Sequence, residues 1–343
     1  MKRESAVTIK DIADRLKVSP STVSRALAGN TDINVNTRKK VADMAAELNY
    51  QPNLIAKSLR MNRTNTIGVI VPELVLHFFS SCISGMQTAC SERGFNIIIC
   101  QSNESFEQEK INVNTLASSR VDGLLISLST ETNSFEHLEY LKSNKIPFVL
   151  FDRVSEDVSV SKVVIDDEKS SFEATQHLLD QGYKNIAYIN GPDNLFICRH
   201  RRIGYEQALR ANGLEVKQEN ILESDLSEAS NIDCALKILN MNPRPDAILA
   251  VNDVVAIDAI VNLKKLINIP EELGIVGFSN SPISKIVEPS LTTVDQPSYD
   301  MGFIAANHLL DKILDINETS NEAFTLHTNL ILRDSTAKSK VPA

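Results

Sequence analysis

Residues 19–27 read Ser-Pro-Ser-Thr-Val-Ser-Arg-Ala-Leu, and they follow the short amphipathic run Thr8-Ile9-Lys10-Asp11-Ile12-Ala13-Asp14-Arg15-Leu16. Few folds are open to a chain that carries this pair. Apolar residues three and four apart predict two short helices joined by a tight turn. Ile12, Ala13 and Leu16 share one face of the first, and Val18, Val23 and Leu27 close the core from the second. Ser19 is a natural N-cap with Pro20 at the first helical position, where its missing N–H costs nothing. Thr8 caps the first helix, with Asp11 three residues on in a capping-box position. A third amphipathic segment runs from Asn36 to Leu48, with Val41, Met44, Ala45 and Leu48 on its apolar side. The second helix then exposes Ser21, Thr22, Ser24 and Arg25. Small hydroxyls and one guanidinium approach a base edge or a phosphate without clashing, the pattern of a helix-turn-helix reader of DNA.

Charge is split along the chain. Residues 1–64 hold 12 Lys and Arg against 6 Asp and Glu; the remainder holds 23 against 38. A basic head attracts phosphate and releases counterions, whereas an acidic body is a poor non-specific DNA binder. Any nucleic acid is therefore expected at the N-terminal end. At 343 residues the chain has room for two or three domains. No apolar run approaches the roughly twenty residues of a membrane span. Met1-Lys2-Arg3-Glu4-Ser5 leads into a polar helix without a secretory signal, and the five cysteines are scattered without metal-ligand spacing. A cytoplasmic protein with reduced thiols and no membrane partner is expected.

Residues 51–64 form a joint. Pro52 stops the preceding helix, and Asn53 to Arg60 suffices for about two helical turns, too short to be stable alone in water. Ile55, Ala56 and Leu59 lie on one stripe beside Lys57, Arg60 and Arg63. A small apolar wedge flanked by cations suits a minor groove; the same composition would also serve as an ordinary polar linker.

From Asn65 onward, apolar β-branched runs alternate with amphipathic stretches. Strands are expected at 67–71, 96–100, 123–127, 148–151, 186–189, 247–251 and 274–278, with helices at 82–93, 106–118, 170–181, 202–212, 253–266 and 301–314. This spacing gives parallel sheets covered on both faces, and the number of units calls for two doubly wound subdomains. Ligands of open α/β sheets bind at the carboxyl ends of strands. The residues there include Phe78-Phe79, Ser127 and Ser129, Asp152-Arg153, Asp166-Asp167, Arg201, Asn252-Asp253 and Ser279-Asn280. Carboxylates, amides, an Arg and aromatic plates suit a polyhydroxylated ligand, whose hydroxyls need partners and whose ring face needs a flat wall. Several have other uses: Asp253 as a helix cap or subdomain contact, Phe78 and Phe79 as core. Phosphate-binding glycine loops, metalloprotease and nucleophile-elbow motifs are absent, so neither enzymatic activity nor a cofactor or metal is expected.

The chain resembles the LacI/GalR (lactose-repressor) family of bacterial transcription regulators over nearly its full length. The resemblance is carried by Thr8-Ile9-Lys10-Asp11-Ile12-Ala13, Ser19 to Leu27, Pro52-Asn53 with Ala56-Lys57-Ser58-Leu59, Thr66 to Pro72, Arg120-Val121-Asp122-Gly123, Gly277-Phe278 and Pro289 to Pro297. It implies a helix-turn-helix head (1–50), a hinge helix (51–64) and an effector-binding and dimerisation domain (65–343) of periplasmic-binding-protein type. That domain would divide into an N-subdomain of about 65–165 plus 296–325 and a C-subdomain of about 166–295 plus 326–343. The resemblance also implies a homodimer on a pseudopalindromic double-stranded operator, probing it through Thr8, Ser19, Ser21, Thr22, Ser24, Arg25, Asn53 and Ala56, with Leu59 inserted at its centre. Phe78, Phe79, Ser127, Asp152, Arg201, Asn252 and Ser279 would bind a small effector, a sugar or sugar derivative. Three departures stand out: Lys17 replaces the usual turn Gly, Ser279 a frequent Asp, and Leu226 a frequent aromatic. Losing a carboxylate and a stacking plate brings in a carbohydrate derivative or sugar acid. The other reading of the body is a solute-binding protein of the same core fold, against which the basic head argues.

Overall fold

The computed structural model describes residues 7–50, 63–314 and 321–338. The chain divides into two compact units, Met1–Thr64 and Asn65–Ala343. In the first, α1 (Ile9–Leu16), α2 (Pro20–Leu27) and α3 (Val35–Glu47) enclose a small core of Ile12, Ala13, Val23, Ala26, Ile33 and Val41. Leu27, expected in that core, is 37% exposed. Val23 and Ala26 are three residues apart and share the inner face; Leu27, four on from Val23, is the last residue of α2 and stays partly outside the core there.

Local chemistry sets the helix ends. Thr8 and Asp11 form the reciprocal capping box on α1, and the Ser19 hydroxyl accepts from Thr22 N–H ahead of Pro20. Bonding to the Thr8 N–H and hydroxyl holds the Asp11 carboxyl below its ordinary pKa. Lys17 takes the left-handed conformation, φ 52° and ψ 42°, between α1 and α2, so a side chain stands where glycine would be unstrained. The joint residues Asn53, Ala56 and Leu59 lie outside the described residues.

The second unit contains two six-stranded sheets. The first has the order β11-β5-β4-β3-β1-β2, from β1 (Thr66–Val71), β2 (Asn96–Gln101), β3 (Gly123–Ile126), β4 (Phe148–Phe151), β5 (Lys162–Ile165) and β11 (Ala323–Leu326). The second has the order β12-β10-β9-β8-β6-β7, from β6 (Ile186–Asn190), β7 (Ile221–Glu223), β8 (Ala247–Ala250), β9 (Gly274–Phe278), β10 (Thr292–Asp295) and β12 (Asn329–Ile331). All pairings are parallel except β10 with β12. The covering helices are α4 (His77–Glu92), α5 (Phe106–Ser118), α6 (Glu136–Ser143), α7 (Asp167–Asp180), α8 (Phe196–Ala211), α9 (Glu228–Leu239), α10 (Asp253–Leu263) and α11 (Ser298–Ile313). Close helix pairing relies on small residues. A Cβ on Gly302 of α11 would collide with Cys82 O of α4, and one on Gly204 of α8 with Glu168 O of α7.

The chain passes between the sheets three times: from β5 into α7, which packs on α8; from β10 into α11, which packs on α4; and from β11 to β12. Short chain crossings between two halves are the kind of connection about which such halves can rotate.

Replacing Lys17 with Gly relieves the left-handed strain. It is expected to stabilise the helical head by about 1 kcal/mol, read as slower amide hydrogen exchange across α1 and α2.

Candidate ligand cleft and nucleic-acid interface

The residues that follow β1, β4, β8 and β9, together with those that open α8, line a cavity of about 90 Å³ between the two halves of the body. From the first half come Leu76, His77, Phe78, Phe79, Asp152 and Arg153; from the second, Ile197, Arg201, Leu226, Asn252, Asp253 and Ser279; and Gln296 stands at the second crossing. Arg201 braces the floor. Its Nε donates to Asp167 Oδ1 at 2.7 Å, its Nη1 donates to Val251 O at 2.6 Å, and its guanidinium lies 4.2 Å from the centre of the Phe278 ring. Asp167 Oδ2 is buried without a partner, and burial raises the Asp167 pKa despite the nearby Arg201.

The cleft carboxyls are unusual. Asp152 is only 6% exposed, and burial pushes its pKa up to about 6 against the pull of Arg153 and Arg201. Asp253 is likewise pushed up to about 6 by burial, although it accepts from Thr293 Oγ1 at 2.5 Å and from Ser281 N–H at 2.7 Å. Asn252, not Asp253, caps α10: its Oδ1 accepts from Val255 N–H at 2.9 Å. Arg153 is bound to Glu104 at 2.6 and 2.8 Å. Burial alone would raise the Glu104 pKa, but Arg153 and the Thr130 donors outweigh it and hold the carboxyl below its ordinary value.

Backbone strain gathers here. Asp152 (φ 57°), Leu226 (φ 70°), Ser279 (φ 115°) and Asn280 (φ 52°) are all left-handed without being glycine. Such residues cost of order 1–3 kcal/mol each and persist where their surroundings over-determine them. Ser279 N–H is fixed to Val294 O at 2.8 Å. The Asn280 amide bridges Asp295 at 2.8 Å and Arg333 at 2.6 Å.

A second chamber, about 560 Å³, adjoins the first and shares Leu76, Arg153, Leu226, Asn252 and Val254 with it. Its further lining includes Glu73, Glu104, Glu131 and Asp225. At the mouth the Asn194 amide donates to Thr130 O, one half of the body to the other.

Six of the seven residues expected at the effector site line the inner cavity: Phe78, Phe79, Asp152, Arg201, Asn252 and Ser279. Ser127 does not. It is fully buried, its N–H is still bonded into the sheet at Ile70 O, and its hydroxyl is without a partner. Nearby Ser129 is tied to buried Glu109, which also holds Thr132 and His137. Arg153, expected among the strand-end residues but not in the effector set, and Gln296, not singled out, also belong to the wall. The sequence signal for Arg153 was its place directly after an apolar strand; none marked Gln296.

In the head, Ser19, Ser21 and Arg25 are exposed on α2, with Thr22 and Ser24 half-buried. The Ser19 hydroxyl lies 2.7 Å from that of Ser21 and 2.8 Å from that of Thr22. Arg25 is paired with Asp32 at 2.7 Å, both side chains about half exposed. Thr8 is exposed, with its hydroxyl tied to Asp11 in the capping box.

Comparison with known proteins agrees with this layout. The model of "Bacterial regulatory proteins, lacI family" matches residues 8–53, and that of "Periplasmic binding proteins and sugar binding domain of LacI family" matches residues 64–333. The chain belongs to the LacI family of bacterial regulatory proteins. It is 34% identical to catabolite control protein A of Priestia megaterium over 96% of this chain and 99% of that protein. It is 32% identical to the transcriptional repressor CytR of Escherichia coli K12 over 98% of each. Among solved structures, the lac repressor dimer bound to operator and the anti-inducer ONPF superposes with a TM-score of 0.86 at 25% identity, over 97% of this chain and 100% of that one. The complex of the regulator CelR with cellobiose gives a TM-score of 0.74 at 29% identity, over 96% and 99%. This LacI-family member is thus a DNA-binding transcription regulator, and its named relatives are regulators rather than enzymes. Among its described residues no helix is long and apolar enough to cross a membrane.

Two measurements test the electrostatics of the regulator's cleft. A carboxyl whose pKa is raised on folding binds its proton more tightly in the folded state. Its contribution is therefore present below the unfolded value near 4 and lost as the pH rises through about 6. Asp152→Asn removes that dependence. Relative to the parent protein it is expected to gain about 1–3 kcal/mol of stability between pH 4 and pH 7, measured by denaturant titration at both. Arg201→Ala strands Asp167 as an uncompensated buried charge and is expected to cost roughly 3–5 kcal/mol in the same assay. It is accordingly a poor way to remove ligand binding alone.

Proposed function

We propose that this LacI-family regulator is a cytoplasmic repressor that binds a pseudopalindromic operator as a homodimer, and that a small molecule in the cleft sets its affinity for DNA. The observation that carries this reading is the coexistence in one chain of a basic helix-turn-helix head and a cleft between two halves that contains buried carboxyls and arginines. In the head, Ser21, Thr22, Ser24 and Arg25 reach base edges and neighbouring phosphates, with Thr8 and Ser19 at the backbone. The joint residues Asn53, Ala56 and Leu59 act at the operator centre, Leu59 as the wedge. Arg25 leaves Asp32 for DNA, so a charge pair that occupies the free head is exchanged on binding.

Unsatisfied apolar surface supports self-association. β2 is an edge strand with Ile98 and Ile99 44% and 39% exposed, and Val261, Ile283 and Ile286 are 49%, 58% and 76% exposed in the other half. An apolar sheet edge left open invites pairing with another chain, and covering both halves with a second copy gives the two-fold symmetry that a pseudopalindrome mirrors. Ligand binding between the halves would rotate them about the three crossings and alter the spacing of the joints in the dimer. A few kcal/mol of differential affinity suffices to change operator occupancy by orders of magnitude. For the effector class, the support is the sugar-binding description of the matched family and the cellobiose held by CelR. We take the effector to be a carbohydrate or a derivative of one.

The test begins by selecting a binding site from random duplexes with purified protein, followed by anisotropy titrations over a salt series. Two chains per duplex and a steep fall in affinity with salt are expected. Arg25→Ala should weaken specific binding roughly 5- to 150-fold, and Leu59→Ala at least about tenfold. A one-to-one complex, or unchanged affinity in both variants, would overturn the proposal.

A further inference from the structure

A separate cavity lies at the first crossing. Its volume, also about 560 Å³, falls within the roughly 300–1,000 Å³ of ordinary small-molecule sites. It shares no lining residue with either chamber of the cleft. One wall is Val164 and Ile165 of β5 with Thr325 of β11, from the first half of the body. The other is the first turn of α7 and one side of α8, from the second half. α8 thus serves two spaces: Ile197, Cys198 and Arg201 line the cleft, whereas Phe196, His200 and Gln207 line this cavity.

The lining is anionic. Asp166, Asp167 and Glu168 contribute carboxylates, and Lys169 is the one lysine or arginine among the described residues that line it. Lys169 stands 3.8 Å from Glu173, and Arg201 answers Asp167 from the cleft side. Acids in the first turn of a helix suit its dipole. That accounts for Asp166, whose Oδ1 accepts from Lys169 N–H at 3.0 Å, and for Glu168, which accepts from Gln207 Nε2 at 2.6 Å. It leaves out Asp167, which is only 2% exposed. Arg201 takes its Oδ1, while its Oδ2 is buried without a partner, an acceptor desolvated with nothing in return. Asp167 lines this cavity and neither chamber of the cleft, so the donor it lacks is to be sought on this side.

The rest of the wall is aromatic. The Phe196 and His200 rings lie 4.0 Å apart at 31°, and Phe172 adds a third ring. Ring faces attract cations, the more so away from water. Among the described residues no group of three or more His, Cys, Asp or Glu side chains is placed to hold a metal ion, so the cation that suits is organic.

We infer that this cavity is a second ligand site, distinct from the cleft, for a small organic cation: a primary ammonium or guanidinium carried on a flat or apolar body. The cationic head donates to Asp167 and Glu168, and the body lies along Phe172, Phe196 and His200. The Asp167–Arg201 pair is the partition between this site and the cleft. Because the walls come from both halves, an occupant favours the relative rotation in which they fit it. By linkage, a ligand in the cleft then alters the affinity for the cation, and the cation alters the affinity for that ligand to the same degree.

The experiment is a calorimetric titration of the full-length protein with two organic cations, tyramine and agmatine. The controls are tyrosol, in which a hydroxyl replaces the ammonium of tyramine, and para-hydroxyphenylacetate, which carries a carboxylate instead. At least one cation is expected to bind about tenfold or more tighter than either control. Glu168→Lys should weaken that binding by about tenfold or more, with Glu168→Gln intermediate. Asp225→Lys, the same charge reversal in the outer chamber of the cleft, should leave it within about twofold. Cation binding lost in Asp225→Lys and kept in Glu168→Lys would assign the cation to the cleft and overturn the second site. Tyrosol binding as tightly as tyramine, with agmatine silent, would overturn the recognition of charge. Silence from both cations, with the protein melting cooperatively, would overturn the inference as a whole.

Discussion

Arg201 sits where the first crossing and two strands of the second sheet converge, and its guanidinium is committed to the protein. It bonds Asp167 at the start of α7 and Val251 O after β8, and it covers the Phe278 ring at the end of β9. Three elements are thereby locked to one buried planar cation. Burying an ion pair seldom adds net stability, but losing one partner is costly. The pair therefore specifies the geometry of the cleft floor more than it holds the body together. The strained Ser279, which directly follows β9, takes its position from an element this arginine joins.

The parts of the molecule that were legible in the sequence are those whose signal is local. Capping at Thr8 and Ser19, the apolar stripes of the head, and the strands with continuous β-branched runs emerged where expected, because each is set by neighbours within a few residues. The strands β5, β7, β10, β11 and β12 and the amphipathic helices α6 and α9 were not anticipated. β7 has only three residues, and β11, though its burial alternates, has four and none fully buried, so tertiary pairing decides them. α8 began at Phe196 rather than Arg202. Its first turn has no side-chain cap to mark it.

Site residues divide in the same way. Phe79, Asp152, Asn252 and Ser279 follow strands, and topology alone brings strand ends together. Gln296 enters the cleft because the second crossing passes beside it, and a crossing leaves no local trace in composition. The expectation for Arg201 captured its location and missed its occupation: only coordinates reveal that Asp167, thirty-four residues earlier, already claims it. The commitment of Arg153 to Glu104 was hidden for the same reason. Which donors and acceptors the cleft leaves open thus depends on long-range pairing rather than on the inventory of residue types.

The amide-to-carbonyl contact from Asn194 to Thr130 joins the two halves without a charge on either side. A neutral hydrogen bond open to water contributes about 1 kcal/mol, roughly a fivefold bias in population. With so shallow a latch, the apo regulator would sample closed and open forms within the same order of abundance. A weakly bound effector would then suffice to tilt the balance, and the response would be graded in effector concentration rather than all-or-none.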